Sequence, residues 1–355
     1  MQTYILYSVV FLIIIMMTRL AQIKNSKKYM IYAAMVLTLL AGLRDSSVGL
    51  DTQGYAQIFD YIAEGQMNLA YGLETSFKYI CFVLLKIWDN DNFLFFVFAL
   101  ITNVLIFDRI WDFKDQISLP WAITVYYAGF YFVSYNIMRQ CVAVAIVFYA
   151  TRYLYNKKYF RFLIGVLLAC FFHKSSVIGI AFIFLEIFVR KRLSKEQIRR
   201  FVLLITIVLV AIVGFGAVFF EKYFKYFEDI QFNFGALLFV KLILFVLIAI
   251  VTRSELVSLG KDEKYDFALY TGRSIKLYYF LGILLTMLGY LFSYMDRSGT
   301  YYYIFETVFI GKVMRSKSVG IVKLLIAILY LILAIGTIFG NGQGQGNYLF
   351  FWQQI

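Results

Sequence analysis

Proline is nearly missing from this chain: Pro120 is the only one in 355 residues. Transporters often carry broken helices and internal repeats; no repeat is evident here, and prolines to mark such breaks are lacking. Charge is also scarce, at 15% of residues against about 25% in soluble domains. That leaves too little polar surface to cover a soluble fold. Cys81, Cys141 and Cys170 are widely spaced in apolar surroundings, which excludes a disulfide framework or a cysteine metal site. The run from Thr3 to Met17 lacks a basic leader and a small-residue cleavage site, so it is expected to be a retained span and not a signal peptide.

What is present is apolar: 62% of residues are hydrophobic, in runs that recur along the whole length. A polytopic membrane protein has this pattern, because each helix closes its own backbone hydrogen bonds in lipid. The expectation is an all-α fold, one membrane domain over 1–355, with about twelve spans. They fall at 3–20, 29–43, 93–107, 117–135, 139–152, 159–172, 176–189, 201–220, 235–251, 276–293, 299–311 and 320–338. The glycine-rich NGQGQGN stretch, 341–347, predicts a mobile tail over 341–355 or one that hangs over the external face.

The net charge of +13 does not point to nucleic acid, since the basic residues sit in short loops between apolar runs. Alternate loops hold 25 of the 34 basic residues, among them Lys24, Lys27, Lys28, Arg109, Lys114, Arg152, Lys157 and Lys158. That side is expected to be cytoplasmic. Residues 76–88 would invert every later loop if they crossed the membrane. They are short and contain Lys78 and Lys86, so they are expected to form a re-entrant or surface helix within one long external segment, 44–92.

Few basic residues remain for the outer side, and three of them are arginines: Arg44, Arg139 and Arg297, with Asp45 and Asp296 beside the first and last. The sole histidine, His173, lies at an outer span end next to Lys174. Taken singly, an arginine at a span end often only snorkels to headgroups, and a lone histidine is more often structural. Together they suit a doubly charged phosphate ligand. Four stretches frame them: AGLRDSSVGLDTQGY at 41–55, NIMRQCVAVA at 136–145, LLACFFHKSS at 167–176 and MDRSGTYYYIF at 295–305.

In this order the four stretches resemble the EpsG-like family of bacterial exopolysaccharide polymerases, relatives of the Wzy O-antigen polymerases. Arg44, Gly49, Asp51 and Tyr55 match an arginine and a G-x-D-x-x-x-Y run. Asn136, Arg139, Gln140 and Ala143 match an N-x-x-R-Q-x-x-A helix start, and Ala169 with His173 an A-x-x-x-H turn. Arg297 with Tyr301 to Tyr303 is a looser match to a late arginine and aromatic motif, and Glu74 stands where the family has an acid before its third helix.

The resemblance implies a glycosyltransferase in the bacterial plasma membrane with its active site facing the periplasm or exterior. Undecaprenyl-diphosphate-linked oligosaccharide would be both donor and acceptor, alongside membrane lipid and other polysaccharide export or chain-length proteins as partners. Arg139, Arg44 and, less strongly, Arg297 are the candidate cations for the diphosphate leaving group. Asp51 and His173 are the candidate bases, and Asp45, Tyr55, Asn136, Gln140, Lys174 and Tyr301 the candidate substrate contacts. No cofactor and no metal are expected, since Asp89 and Asp91 read as a solvated turn. Glu306, inside an apolar run, calls for a partner such as Lys241 or a polar groove. A flippase of the same lipids, a related glycan ligase, an acyltransferase and a receptor are the rival readings.

Overall fold

Long apolar runs without proline favour uninterrupted helices, and helices account for nearly every ordered element of the computed structural model. It describes residues 2–68, 74–190, 236–251, 267–289, 295–316 and 320–353. Contacts divide the chain into two compact units, one of 1–179 with 304–355 and one of 180–303.

In the first unit, α1 (Gln2–Ile23), α2 (Lys28–Gly42), α5 (Asp91–Trp111), α6 (Leu119–Tyr126), α7 (Met138–Tyr155), α8 (Tyr159–Phe172), α13 (Glu306–Arg315) and α14 (Gly320–Phe339) run back and forth. Between α2 and α5 lie two shorter helices, α3 (Thr52–Ala63) and α4 (Thr75–Leu85). The helices α1, α5 and α14 are long and apolar enough to cross a membrane; α2, α4 and α8 are apolar but shorter. At 1.5 Å per residue α4 is about 16 Å long, too short for a hydrocarbon core of about 30 Å.

Polar side chains pin these helices together. Asn103 of α5 donates to Thr38 of α2 at 3.3 Å and accepts from the Tyr126 hydroxyl of α6 at 2.7 Å. Inside an apolar bundle such bonds fix which helix faces meet. Start signals are also clear in places. The Asn90 side chain caps α5 by accepting from the backbone N–H of Asn92, with Asp91 in the first turn and Arg109 in the last. The D-N-D sequence is thus a helix start.

Two ends of this unit differ in charge. At one, Lys27 and Arg152 converge on Asp108, Arg109 pairs with Asp112, and Arg315 donates to the carbonyls of Lys114 and Ile117. At the other, Asn92 donates to the Arg44 carbonyl at 2.6 Å. The two ends of the segment 44–92 therefore meet at that end.

Three expected spans are not single helices: 176–189 is a 3-10 stretch (Lys174–Ile180) followed by the helix Ala181–Arg190, and two others break within. In 117–135, α6 stops at Tyr126 and continues as a π turn (Tyr127–Tyr131) and a 3-10 turn (Phe132–Tyr135). Tyrosine hydroxyls draw this backbone toward its neighbours: Tyr127 donates to the Tyr7 carbonyl and Tyr131 to the Leu37 carbonyl. The Ser134 hydroxyl bonds the Tyr131 carbonyl at 2.6 Å, which favours the tighter turn. The run 299–311 breaks after Tyr303, where the Thr307 hydroxyl takes the Ile304 carbonyl at 2.8 Å. Glu306, fully buried, accepts a hydrogen bond from the Tyr330 hydroxyl of α14.

The second unit contains α9 (Ala181–Arg190), α10 (Ala236–Val251), α11 (Phe267–Gly289) and α12 (Met295–Tyr303). The expected span 201–220 lies outside the described residues. Helices α11 and α12 touch through glycine: a Cβ on Gly282 would lie 2.5 Å from the Tyr303 nitrogen. A buried carboxylate, Glu186, collects Arg190, the Ser274 hydroxyl at 3.2 Å and the Tyr278 hydroxyl at 2.8 Å. Lys241 donates to the Tyr303 hydroxyl.

Candidate functional site

Three helix ends meet at the Arg44 end of the first unit. Helix α7 begins just after Asn136, so Arg139 sits in its first turn. Glu74 immediately precedes α4, and His173 follows α8 in an extended conformation that ends that helix. Arg139 Nη1 donates to Glu74 Oε2, and His173 Nδ1 lies 3.2 Å from Glu74 Oε1. The backbone N–H of Lys174 points to the same Oε1 at 3.5 Å. The Ser76 hydroxyl donates to the Phe171 carbonyl at 2.6 Å and fastens α4 to α8 beside the cluster.

The arginine packs against aromatic rings as well as being paired. Its guanidinium lies 5.0 Å from the ring centre of Phe77 and 5.9 Å from that of Tyr55 on α3. Such faces attract a cation while leaving its edge for an anion. Among the described residues its buried Nε has no hydrogen-bond partner. The side chains of Arg139, Glu74 and His173 are 16%, 11% and 20% exposed, so the cluster is recessed but reachable. Burial works to raise the Glu74 carboxyl, but its backbone N–H bond, Arg139 and His173 outweigh it and hold the group below its ordinary value. Burial pushes the Tyr55 hydroxyl up, and Arg139 opposes that shift.

The other expected site residues are distributed around this cluster. Arg44 is only 1% exposed; it donates to the carbonyls of Ala41, Val48 and Tyr135 and stacks on Phe95 and Tyr135. Asp45 accepts from the Ser47 N–H and hydroxyl and so shapes a turn. Asp51 is exposed, just before α3, and its side chain does not cap that helix. Gln140 is buried in α7 beside Arg139, and the Lys174 side chain is exposed. Arg297, exposed, and Tyr301, buried, belong to the second unit.

Asn136 sits at a junction of three chain segments. Its Oδ1 accepts from the N–H groups of Leu50 and Asp51 at 2.7 and 3.3 Å, and its Nδ2 donates to Gln343 Oε1 and O at 2.6 and 3.2 Å. Those four bonds exhaust an amide, which supports a structural junction over a substrate contact. The glycine-rich stretch that reaches it lies across the 44–50 turn: the Gly49 N–H donates to the Gly344 carbonyl at 3.0 Å, and that of Asp45 to Leu349 at 2.8 Å. Gly49 and Gly344 both have positive φ, 112° and 74°, and a Cβ on Gly344 would meet the Gly49 backbone at 2.8 Å.

Two participants are only partly legible in the sequence. Glu74 is visible only as an acid before a short helix, and nothing in its neighbourhood announces two partners 65 and 99 residues away. Gln343 looks like one polar residue in a flexible stretch. Among the described residues, no group of three or more histidines, cysteines or carboxylates is placed to hold a metal.

A family model described as the EpsG family matches residues 27–351, nearly the whole chain. No curated protein and no solved structure matches it.

Proposed function

The chain belongs to the EpsG family, a Wzy-like polymerase family of the membrane, and from that premise we propose that it joins lipid-linked oligosaccharide repeats at the outer face of the bacterial plasma membrane. The growing glycan on undecaprenyl diphosphate is the donor, and a terminal hydroxyl of another lipid-linked repeat attacks its anomeric carbon. The new C–O bond forms as the bond from the anomeric carbon to phosphate oxygen breaks, and the electron pair leaves on the lipid diphosphate. The acceptor proton passes to a base.

The observation that carries this reading is the convergence of Arg139 and His173, from two different helices, in one recessed cluster at the end away from the basic loops. Fixed cations aimed at a departing phosphate oxygen supply the largest stabilisation in reactions of this kind. Arg139 takes that role, helped by the exposed Lys174. His173 is the base, being held by a partner, whereas Asp51 stands at the start of α3 with no cap to fix it. The bonds of Arg44 support a positioning role: it clamps the turn that leads into α3. Twelve spans, with the basic loops in the cytoplasm, are the topology that goes with this reading.

The test is polymer formation by the reconstituted protein from purified lipid-linked repeats. High-molecular-weight glycan should survive EDTA and fall by about 100-fold or more with Arg139→Ala, the scale of losing one transition-state charge contact. Movement of the lipid-linked repeat between leaflets without polymer would instead identify a flippase.

A further inference from the structure

We propose that Glu74 is a positioning residue that keeps the Arg139–His173 pair electrically balanced until the acceptor proton arrives. This rests on the polymerase reading above and adds to it a residue and a reason.

Both carboxylate oxygens are committed, and each serves a different helix. Oε2 takes Arg139 of α7; Oε1 faces His173 Nδ1 at the end of α8 and the Lys174 N–H. A carboxylate 11% exposed and shared in this way does not resemble a casual surface pair. Two consequences follow from the geometry. When Nδ1–H donates to the carboxylate, the imidazole carries its basic lone pair on Nε2, and the ring is held in one orientation. The same arrangement of acid and histidine orients the base in serine hydrolases.

The second consequence concerns charge. With the imidazole in the neutral form that a base requires, the three side chains sum to zero, and the positive charge left beside them is that of the exposed Lys174; the triad itself does not grip a diphosphate through net charge. During transfer the acceptor O–H proton moves to Nε2, and the cluster becomes +1. Over the same interval negative charge builds on the leaving phosphate oxygen. Attraction thus grows with the charge it stabilises, which is binding specific to the transition state. Without the carboxylate, Arg139 would already grip the ground-state diphosphate, and less of its attraction would be specific to the transition state.

The full-length chain in lipid nanodiscs allows both halves to be measured. The readouts are turnover of lipid-linked repeat and binding of undecaprenyl diphosphate, for wild type, Glu74→Gln and Glu74→Asp. Glu74→Gln should lower kcat on the order of 10²- to 10⁴-fold while binding of the diphosphate tightens, on the order of tenfold. Glu74→Asp, which keeps the charge, should recover part of kcat and bind like wild type. Parallel loss of kcat, binding and Tm in Glu74→Gln would make the residue a structural staple and overturn the proposal. So would unchanged turnover. If wild type makes no polymer, the polymerase reading fails, and the binding arm still decides: tightening in Glu74→Gln supports the charge balance, and unchanged or weaker binding rejects it.

Discussion

Arg44 and Arg139 stand at the same end of one unit, yet their surroundings give them different work. Arg44 is enclosed by aromatic rings and three backbone carbonyls, so its charge is spent on holding a turn. Arg139 is flanked by rings but keeps an edge and a carboxylate partner at a reachable surface. Removing Arg44 strands those carbonyls, and hydrogen bonds to a charged group are worth about 1.5–3 kcal/mol. Arg44→Ala is therefore expected to destabilise the protein by about 2 kcal/mol or more, seen as a lower Tm in detergent. Its residual activity should scale with the folded fraction, which a direct ligand to the diphosphate would not do. The scarcity of outer arginines and the single histidine singled out Arg139 and His173 in the sequence, and the family resemblance added Tyr55. The same resemblance gave Glu74 only a place before a helix, since the bonds that define it join segments distant along the chain.

At the scale of elements, the hydropathy of a run reveals that it is buried but not how its backbone turns. The runs 117–135 and 299–311 are mostly apolar, and their hydropathy does not mark the π turn after Tyr126 or the break after Tyr303. Those features come from hydroxyls of Ser134, Thr307 and several tyrosines that bond to carbonyls. Glycines were more informative than their number suggests. Where α2 passes α5, a Cβ on Gly42 would lie 2.7 Å from the Phe96 Cα, and Gly282 allows a like approach between α11 and α12. Overpacking of such a contact costs about 1–3 kcal/mol. Gly282→Val should destabilise the second unit by that amount, seen as a lower Tm, whereas Gly336→Val, where an added Cβ meets open space, should leave Tm nearly unchanged.

For the whole molecule, the charge asymmetry read from the loops reappears in the first unit, where Lys27, Arg152 and Arg315 gather at the end opposite Arg44. The two exposed positions Gln53 and Asn156 belong to these opposite ends and make the orientation testable. In cells, Gln53→Cys should react with a membrane-impermeant maleimide from outside, and Asn156→Cys only after the membrane is opened. The reverse pattern would place the Arg139 cluster in the cytoplasm and end the outer-face reading. The number of crossings was poorly legible in the sequence, because short helices such as α4 share the composition of spans without their length.

The bond between Asn136 and Gln343 joins residues 207 positions apart. A ribosome therefore completes the cluster's helices long before it makes the residue that fastens their entry turn. A chain cut short before residue 341 would still insert most of its helices, but would carry the 44–50 turn and the start of α7 unlatched. Maturation of this end is in this sense deferred until residue 343 has been made, and a shorter product is left in the membrane with that end unlatched.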